Sequence, residues 1–215
     1  MTNLSRRSLM SIAALAALAP AANSAFALDP AKNTKDMPMR NQKFALTREE
    51  TLDVIRRTDH AVLSLADGTG EPYGVPITPI LLDGKIYFHG AGMGDGRRNA
   101  DIQQNPRGSI CWIAQDRTNQ PKLSVDFVSA IASGPIRIIK DKAEKTAIMR
   151  KILERHTPSV DINKEMSARL EKMSARLEKI DKYTNVFEMK IEHLTGKAKD
   201  LGYLRFFGHN RPAQK

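Results

Sequence analysis

From residue 44 onward the apolar positions of this chain keep two rhythms, one of helix and one of strand. Leu52, Val54 and Ile55 lie on one side of a helical wheel, behind Thr47 and Glu50 at capping-box spacing, which predicts a short helix ending near Thr58. Residues 60–66 then read as a strand, 67–72 as a turn and 73–82 as a second strand rich in β-branched residues. Asp83-Gly84 has the composition of a two-residue hairpin turn and leads into a third strand over 85–89, so the three are expected to form an antiparallel meander.

Residues 90–96 hold four glycines, and 97–104 read as a short helix that Asn105-Pro106 ends. Strands are expected over 108–114 and 123–139, the second bulged or kinked near Gly134-Pro135 because proline removes a ladder donor. Residues 141–155 and 163–180 are charged amphipathic helices. Over 185–193, Phe187, Met189 and Ile191 alternate with Glu188, Lys190 and Glu192, which predicts a final half-buried strand. The seven residues 166–172 recur at once as 173–179, which lengthens a helix in phase with the seam of Met166, Leu170, Met173 and Leu177.

The first segment follows neither rhythm. Arg6-Arg7, a weakly apolar run from 9 to 19, Pro20 and the small-x-small site Ala25-Phe26-Ala27 resemble a twin-arginine signal peptide over 1–27, with an ordinary secretory leader as the alternative. The run is too short to span a bilayer, so a periplasmic protein with no stable membrane insertion after cleavage is expected. Residues 28–43 read as a flexible spacer, 44–207 as one domain and 208–215 as a C-terminal tail.

The net charge is +10, which becomes +8 once the two leader arginines are removed. Basic charge suggests nucleic acid, but export argues against that partner and leaves an anionic cofactor, a membrane surface or solubility. Cys111 is the single cysteine. It allows no internal disulfide and no paired-cysteine zinc site, and its apolar neighbours predict a buried structural thiol. His60, His156, His193 and His209 are scattered without metal-ligand spacing, so no metal site is expected. Hydrolase and zinc-enzyme motifs are absent.

One segment carries candidate chemistry. A strand ending at His89, a glycine loop and a helix opening with Arg97 and Arg98 suit an anion: glycines admit backbone N–H groups, the helix start is partly positive, and guanidinium forks match phosphate oxygens. The spacing is neither the dinucleotide fingerprint nor the P-loop. Without other signals, the loop reads equally as a connection with two surface arginines.

The wider pattern narrows these readings. Val75-Pro76-Ile77, the Asp83-Gly84 turn, the run from Ile86 through Ala91, Gly96-Arg97-Arg98, Asn105-Pro106 and the segment 127–145 resemble the pyridoxamine 5'-phosphate oxidase-like split-barrel flavoproteins, nearest their nitroimidazole-resistance branch. The resemblance covers about 43–196. It implies an α+β fold, a six-stranded antiparallel Greek-key split β-barrel with flanking helices, forming a homodimer with FMN at the interface. It also implies that Val75, Pro76 and Ile77 lie along the flavin, that His89, Gly90 and Ala91 border it, that Arg97 and Arg98 take its phosphate, and that Ser129 adds a phosphate or ribityl contact. Val128 stands where relatives often have arginine.

The function so implied is hydride or electron transfer from bound FMN to a small, oxidised, nitro-aromatic-like substrate, with Tyr73, Tyr87 and Trp112 as stacking surfaces and His89 as the candidate catalytic residue. Two alternatives stay open: a non-catalytic barrel carrying haem or another tetrapyrrole on His89, and an empty barrel that binds a partner through the helix at 163–180.

Overall fold

The computed structural model describes residues 37–92, 96–159, 161, 164 and 184–209; the leader, the duplicated heptads and the C-terminal tail beyond 209 lie outside them. Of the unit Met1–Arg40, residues 37–40 are described; the other compact unit is Asn41–Lys215, which holds every element below.

Thr47 closes the expected capping box. Its hydroxyl accepts from the Glu50 N–H while the Glu50 carboxylate accepts from the Thr47 N–H, and helix α1 runs Arg48–Arg57 from there. Glu49 and Glu50 in the first turn and Arg56 and Arg57 in the last complement the helix dipole. Thr51, Val54 and Ile55 are its buried side.

Among the described residues eight strands follow where six are expected: β1 (Ala61–Ala66), β2 (Pro72–Ile77), β3 (Ile80–Leu82), β4 (Lys85–Ala91), β5 (Arg107–Asn119), β6 (Ser124–Ile138), β7 (Thr184–Lys190) and β8 (His193–Ala198). Helices α2 (Arg97–Gln104), α3 (Lys142–His156) and α4 (Asp200–Phe207) complete an α+β architecture. Neighbouring strands pair antiparallel in the order β2-β1-β5-β6-β7-β4-β3, with β8 also on β6.

Three sequence expectations need correction. The strand expected over 73–82 is two, broken at Thr78-Pro79 because proline cannot continue the ladder, and its halves become opposite ends of the strand order; the first three strands are therefore not a meander. The irregularity expected at Gly134-Pro135 is a change of partner: β6 pairs with β8 through Ser133 and with β7 from Ile136. The β-bulge itself lies between Ile113 and Gln115 on β5. The expected final strand is followed by β8 and α4; β8 turns Leu194, Gly196 and Ala198 inward, too little apolar bulk to announce a strand in the sequence. Asp83 and Gly84, with φ of 50° and 73°, form the expected hairpin turn.

Leu63, Ile110, Trp112, Val128, Phe88, Phe187 and Met189 are fully buried between the two sheet regions, each contributing roughly 1.5–3 kcal/mol of hydrophobic stabilisation. The Phe88 and Phe187 rings stack at 5.0 Å. Helix α3 covers a second cluster of Ile80, Tyr87, Ile139, Ile148, Ile152 and Val186. Because β7 has core on one side and α3 on the other, Val186, Phe187, Glu188 and Met189 are all buried, and the expected half-buried alternation is absent.

Cys111 also departs from expectation. It is half-buried on the outer sheet face, in one cross-strand row with Pro76, Val62, Ile131 and Thr195, and that partial burial raises its pKa.

Candidate functional site

Ala61 pairs with Ile77, so His60, one residue before β1, falls level with Thr78 in the link that follows β2. Ile80 pairs with Tyr87, so the same link runs level with His89 on β4. These registers bring His60, Pro76, Ile77, Thr78 and His89 around one shallow cavity of about 250 Å³. Pro76 and Ile77 supply its apolar wall, and two imidazoles and a hydroxyl supply its polar groups. Among the described residues no carboxylate lines it. Three of the expected residues, Pro76, Ile77 and His89, meet here. His60 and Thr78 were not anticipated, since only the strand registers bring them in.

His89 is exposed at the cavity, yet its pKa is lowered, first by partial desolvation and then electrostatically by Arg98 and His156. Both of these neighbours are basic side chains. His156, at the end of α3, has a buried Nε2 without a hydrogen-bond partner.

The basic pair is divided. Arg97 stacks its guanidinium over Tyr73 at 4.7 Å, donates to the Pro72 carbonyl at 3.1 Å and stands 3.7 Å from the Asp101 carboxylate. Arg98 turns the other way, against Gly90 and over the Phe187 ring at 5.2 Å. Desolvation lowers its pKa, and its Nε is buried without a partner. Alternation along β4 places Gly90 with Phe88 on the inner face and His89 on the outer. The strand thus separates Arg98 from the histidine cavity. Gly90 and Ala91, expected in the loop, are the last residues of β4 and pair with Asn185 and Thr184. Residues 93–95 of the loop lie outside the described residues.

The other expected residues are dispersed. Val75 pairs with Leu63 and packs against the core, so it faces away from Pro76. Ser129 lies on β6 between Ile113 and Lys197, on the outer face shared with Cys111. The stacking surfaces change too: Trp112 is fully buried and Tyr87 donates to Glu188 at 2.9 Å inside the α3 cluster, so only Tyr73 remains partly open.

Glu188 is the hub of a network that sequence reading missed. It accepts from Arg137 Nε and Nη2 at 2.8 Å, Lys85 at 3.0 Å and Tyr87. The Arg137 hydrogen bond is the chief cause that holds its pKa down at about 2, against burial. Tyr87 moves up to about 12, first by desolvation and then through Glu188.

A second cavity, of about 270 Å³, lies between α1, β3 and α3. Its cations Arg56, Lys151 and Arg155 each pair with an acid, Glu49, Glu154 and Asp59, so its charge is compensated. Among the described residues no group of His, Cys, Asp and Glu side chains is placed to hold a metal.

The family model for pyridoxamine 5'-phosphate oxidase matches residues 47–198. No curated protein matches the chain. A candidate 5-nitroimidazole antibiotic resistance protein from Bacteroides thetaiotaomicron is similar in fold, at 18% identity over 71% of this chain and 85% of that one, with a TM-score of 0.57. The flavocytochrome Anf3 of Azotobacter vinelandii matches at 17% identity over 78% and 74%, with a TM-score of 0.61. A FAD and heme binding protein of Mycobacterium smegmatis matches at 17% over 78% and 75%, with a TM-score of 0.54. At these identities the shared property is the split-barrel fold.

Proposed function

The chain belongs to the pyridoxamine 5'-phosphate oxidase family, and from that premise we propose that it is an exported FMN-binding oxidoreductase acting on a small oxidised substrate, of which a nitro-aromatic is the leading candidate. The observation that carries this reading is Arg98, a desolvated guanidinium with an orphaned Nε and no acidic partner among the described residues. A desolvated, unpaired cation is costly unless an anion arrives, and a phosphate suits the guanidinium fork. The residues present therefore fit the phosphate of FMN.

In this reading Arg98 anchors the phosphate on the inner side of β4, Arg97, turned towards Tyr73, is the lesser phosphate contact, the ligand passes the end of that strand to the wall of Pro76 and Ile77, and His89, Gly90 and Ala91 border the ring. Ser129, on the outer sheet face, is a contact that a second copy would deliver. Bound FMN supplies the hydride or electrons. The exposed His89, whose pKa is lowered, can hold a hydrogen bond at the cavity mouth and accept or return a proton there.

The homodimer is proposed on the same face. Val62 is 43%, Ile131 43% and Ile113 64% exposed, side by side with Cys111 and serines across β1, β5 and β6. An uncharged apolar patch of this kind suits a second copy. Pro76 belongs both to this face and to the cavity wall, so a partner seated here would border the cavity.

Haem is the second reading, favoured by the exposed imidazole of His89 and by the heme binding of the Mycobacterium smegmatis neighbour. An absorbance spectrum of protein purified from its own cytoplasm separates the two. A flavin spectrum with FMN affinity dependent on Arg98 supports the first; a Soret band without flavin moves haem to first place. Export is tested by changing Arg6 and Arg7 to lysine, which should hold the folded protein in the cytoplasm.

A further inference from the structure

The cavity bounded by His60, Thr78 and His89 holds an imidazole and a hydroxyl, those of His60 and Thr78, that the flavin reading does not use. One imidazole stands just before β1 and the other on β4, and both converge with one hydroxyl beside an apolar wall. The titratable groups around His89 are His60 beside β1, Arg98 across β4 and His156 at the end of α3, all basic. Neither His60 nor His89 hydrogen-bonds or ion-pairs within the described residues, although both are exposed side chains at a concave surface. The contrast with the second cavity is direct, since every cation there has its carboxylate.

We propose that the polar side of this cavity is a carboxylate subsite: the carboxylate of a small organic acid sits between His60, the Thr78 hydroxyl and His89, beside the Pro76 and Ile77 wall that carries the flavin. The substrate class of the protein is then a small organic anion, and His60 is a binding residue. The inference deepens the flavin reading and rests on it only for the redox step. An anion here offsets the cationic surroundings that disfavour protonation of His89, so binding takes up a proton. The carboxylate is ionised throughout the neutral range, so affinity must fall as pH rises and the bound imidazole loses that proton. The two histidines have separate duties: His60 supplies a donor from the β1 side, and His89 carries the proton linkage.

The test uses the full mature chain as purified, with benzoate as probe and benzamide, its uncharged counterpart, as control. Benzoate should bind and benzamide should bind at least about tenfold more weakly. Benzoate affinity should fall as pH rises past the free pKa of His89, which lies below its ordinary 6.5, by up to about tenfold per unit until the bound imidazole has lost its proton. His60→Gln should weaken benzoate about tenfold while leaving FMN affinity unchanged, and His89→Gln should flatten the pH dependence. Both side chains are exposed, so the variants should retain the melting temperature of the parent. As a measurement free of variants, the His60 and His89 ring resonances should shift on titration with benzoate. Equal binding of benzoate and benzamide, unmoved ring resonances, or unchanged benzoate affinity in His60→Gln overturns the subsite. FMN binding without benzoate binding removes the subsite and leaves the flavin reading; benzoate binding without FMN does the reverse.

Discussion

A methyl group on Gly90 would occupy the space filled by the Arg98 guanidinium, so the absence of a side chain on β4 is what seats the arginine over Phe187. Gly90 does not adopt a positive φ, so alanine suits the strand backbone. Gly90→Ala should therefore fold, push Arg98 from its seat and weaken FMN binding by about tenfold or more, read by flavin fluorescence titration. Unchanged affinity would remove Arg98 from the phosphate site.

Glu188 makes a prediction about acid stability. Its pKa is ordinarily 4.5 and is held at about 2 in the folded chain. A depressed carboxylate contributes stability that is fully present above its unfolded pKa and is lost as pH falls from about 4.5 towards 2. The contribution is on the order of 3 kcal/mol, since each tenfold change in proton affinity is worth about 1.4 kcal/mol and the side chain is buried. Glu188→Gln should lower stability at pH 7 by an amount of that order and flatten the loss between pH 4.5 and 2. Denaturant melts across that range, with the variant beside the parent, provide the check.

Much of the framework was legible because local chemistry agreed with tertiary demand. The Thr47 and Glu50 box, the Asp83-Gly84 turn and the stop at Asn105-Pro106 each involve neighbours in sequence, and each stands as expected. The misses concern long-range partners. The polar end of β5, from Gln115 to Asn119, is strand only because β6 pairs with it, and the Glu188 network joins β4, β6 and β7. For the site, the motif around His89 was readable, whereas His60 enters through strand register. The divergence of Arg97 from Arg98 follows from Tyr73 and Gly90, which no spacing rule links to the pair.

Gly134 marks where β6 leaves β8 and takes up β7, and a Cβ there would overlap the Lys190 carbonyl oxygen. The obstacle is backbone, which cannot swing aside as a side chain can. Gly134→Ala should cost at least about 2 kcal/mol, in the range of overpacked cores, and reduce soluble yield. A melting temperature equal to that of the parent would show that the strand crossing yields easily.

The outer face predicts assembly. Ile113→Lys places a charge at its most exposed apolar position without touching the core. Sedimentation should show a dimer for the parent and a monomer for the variant, with flavin affinity falling together with dimerisation. A parent that sediments as a monomer at micromolar concentration would leave that face without its proposed occupant.

The two arginines should be unequal. Arg97 already has the Tyr73 ring, the Pro72 carbonyl and a nearby Asp101 carboxylate, so a phosphate competes with existing partners. Arg98 has an orphaned Nε and a desolvated charge, so a phosphate meets an unfilled requirement. Charge-assisted hydrogen bonds contribute roughly 1.5–3 kcal/mol, so Arg98→Ala should weaken FMN by about tenfold to a hundredfold, with a smaller effect for Arg97→Ala. Arg98→Ala should fold, because no acid pairs with that guanidinium among the described residues, whereas Arg97→Ala leaves the buried Asp101 carboxylate without its ion pair, so the melting temperature of that variant is read beside its FMN affinity. Riboflavin lacks the phosphate and should bind the parent and both variants about equally. If riboflavin weakens as much as FMN does, Arg98 acts through the shape of the cavity and not through the anion; if Arg97→Ala has the larger effect on FMN, the phosphate lies on the Tyr73 side of α2.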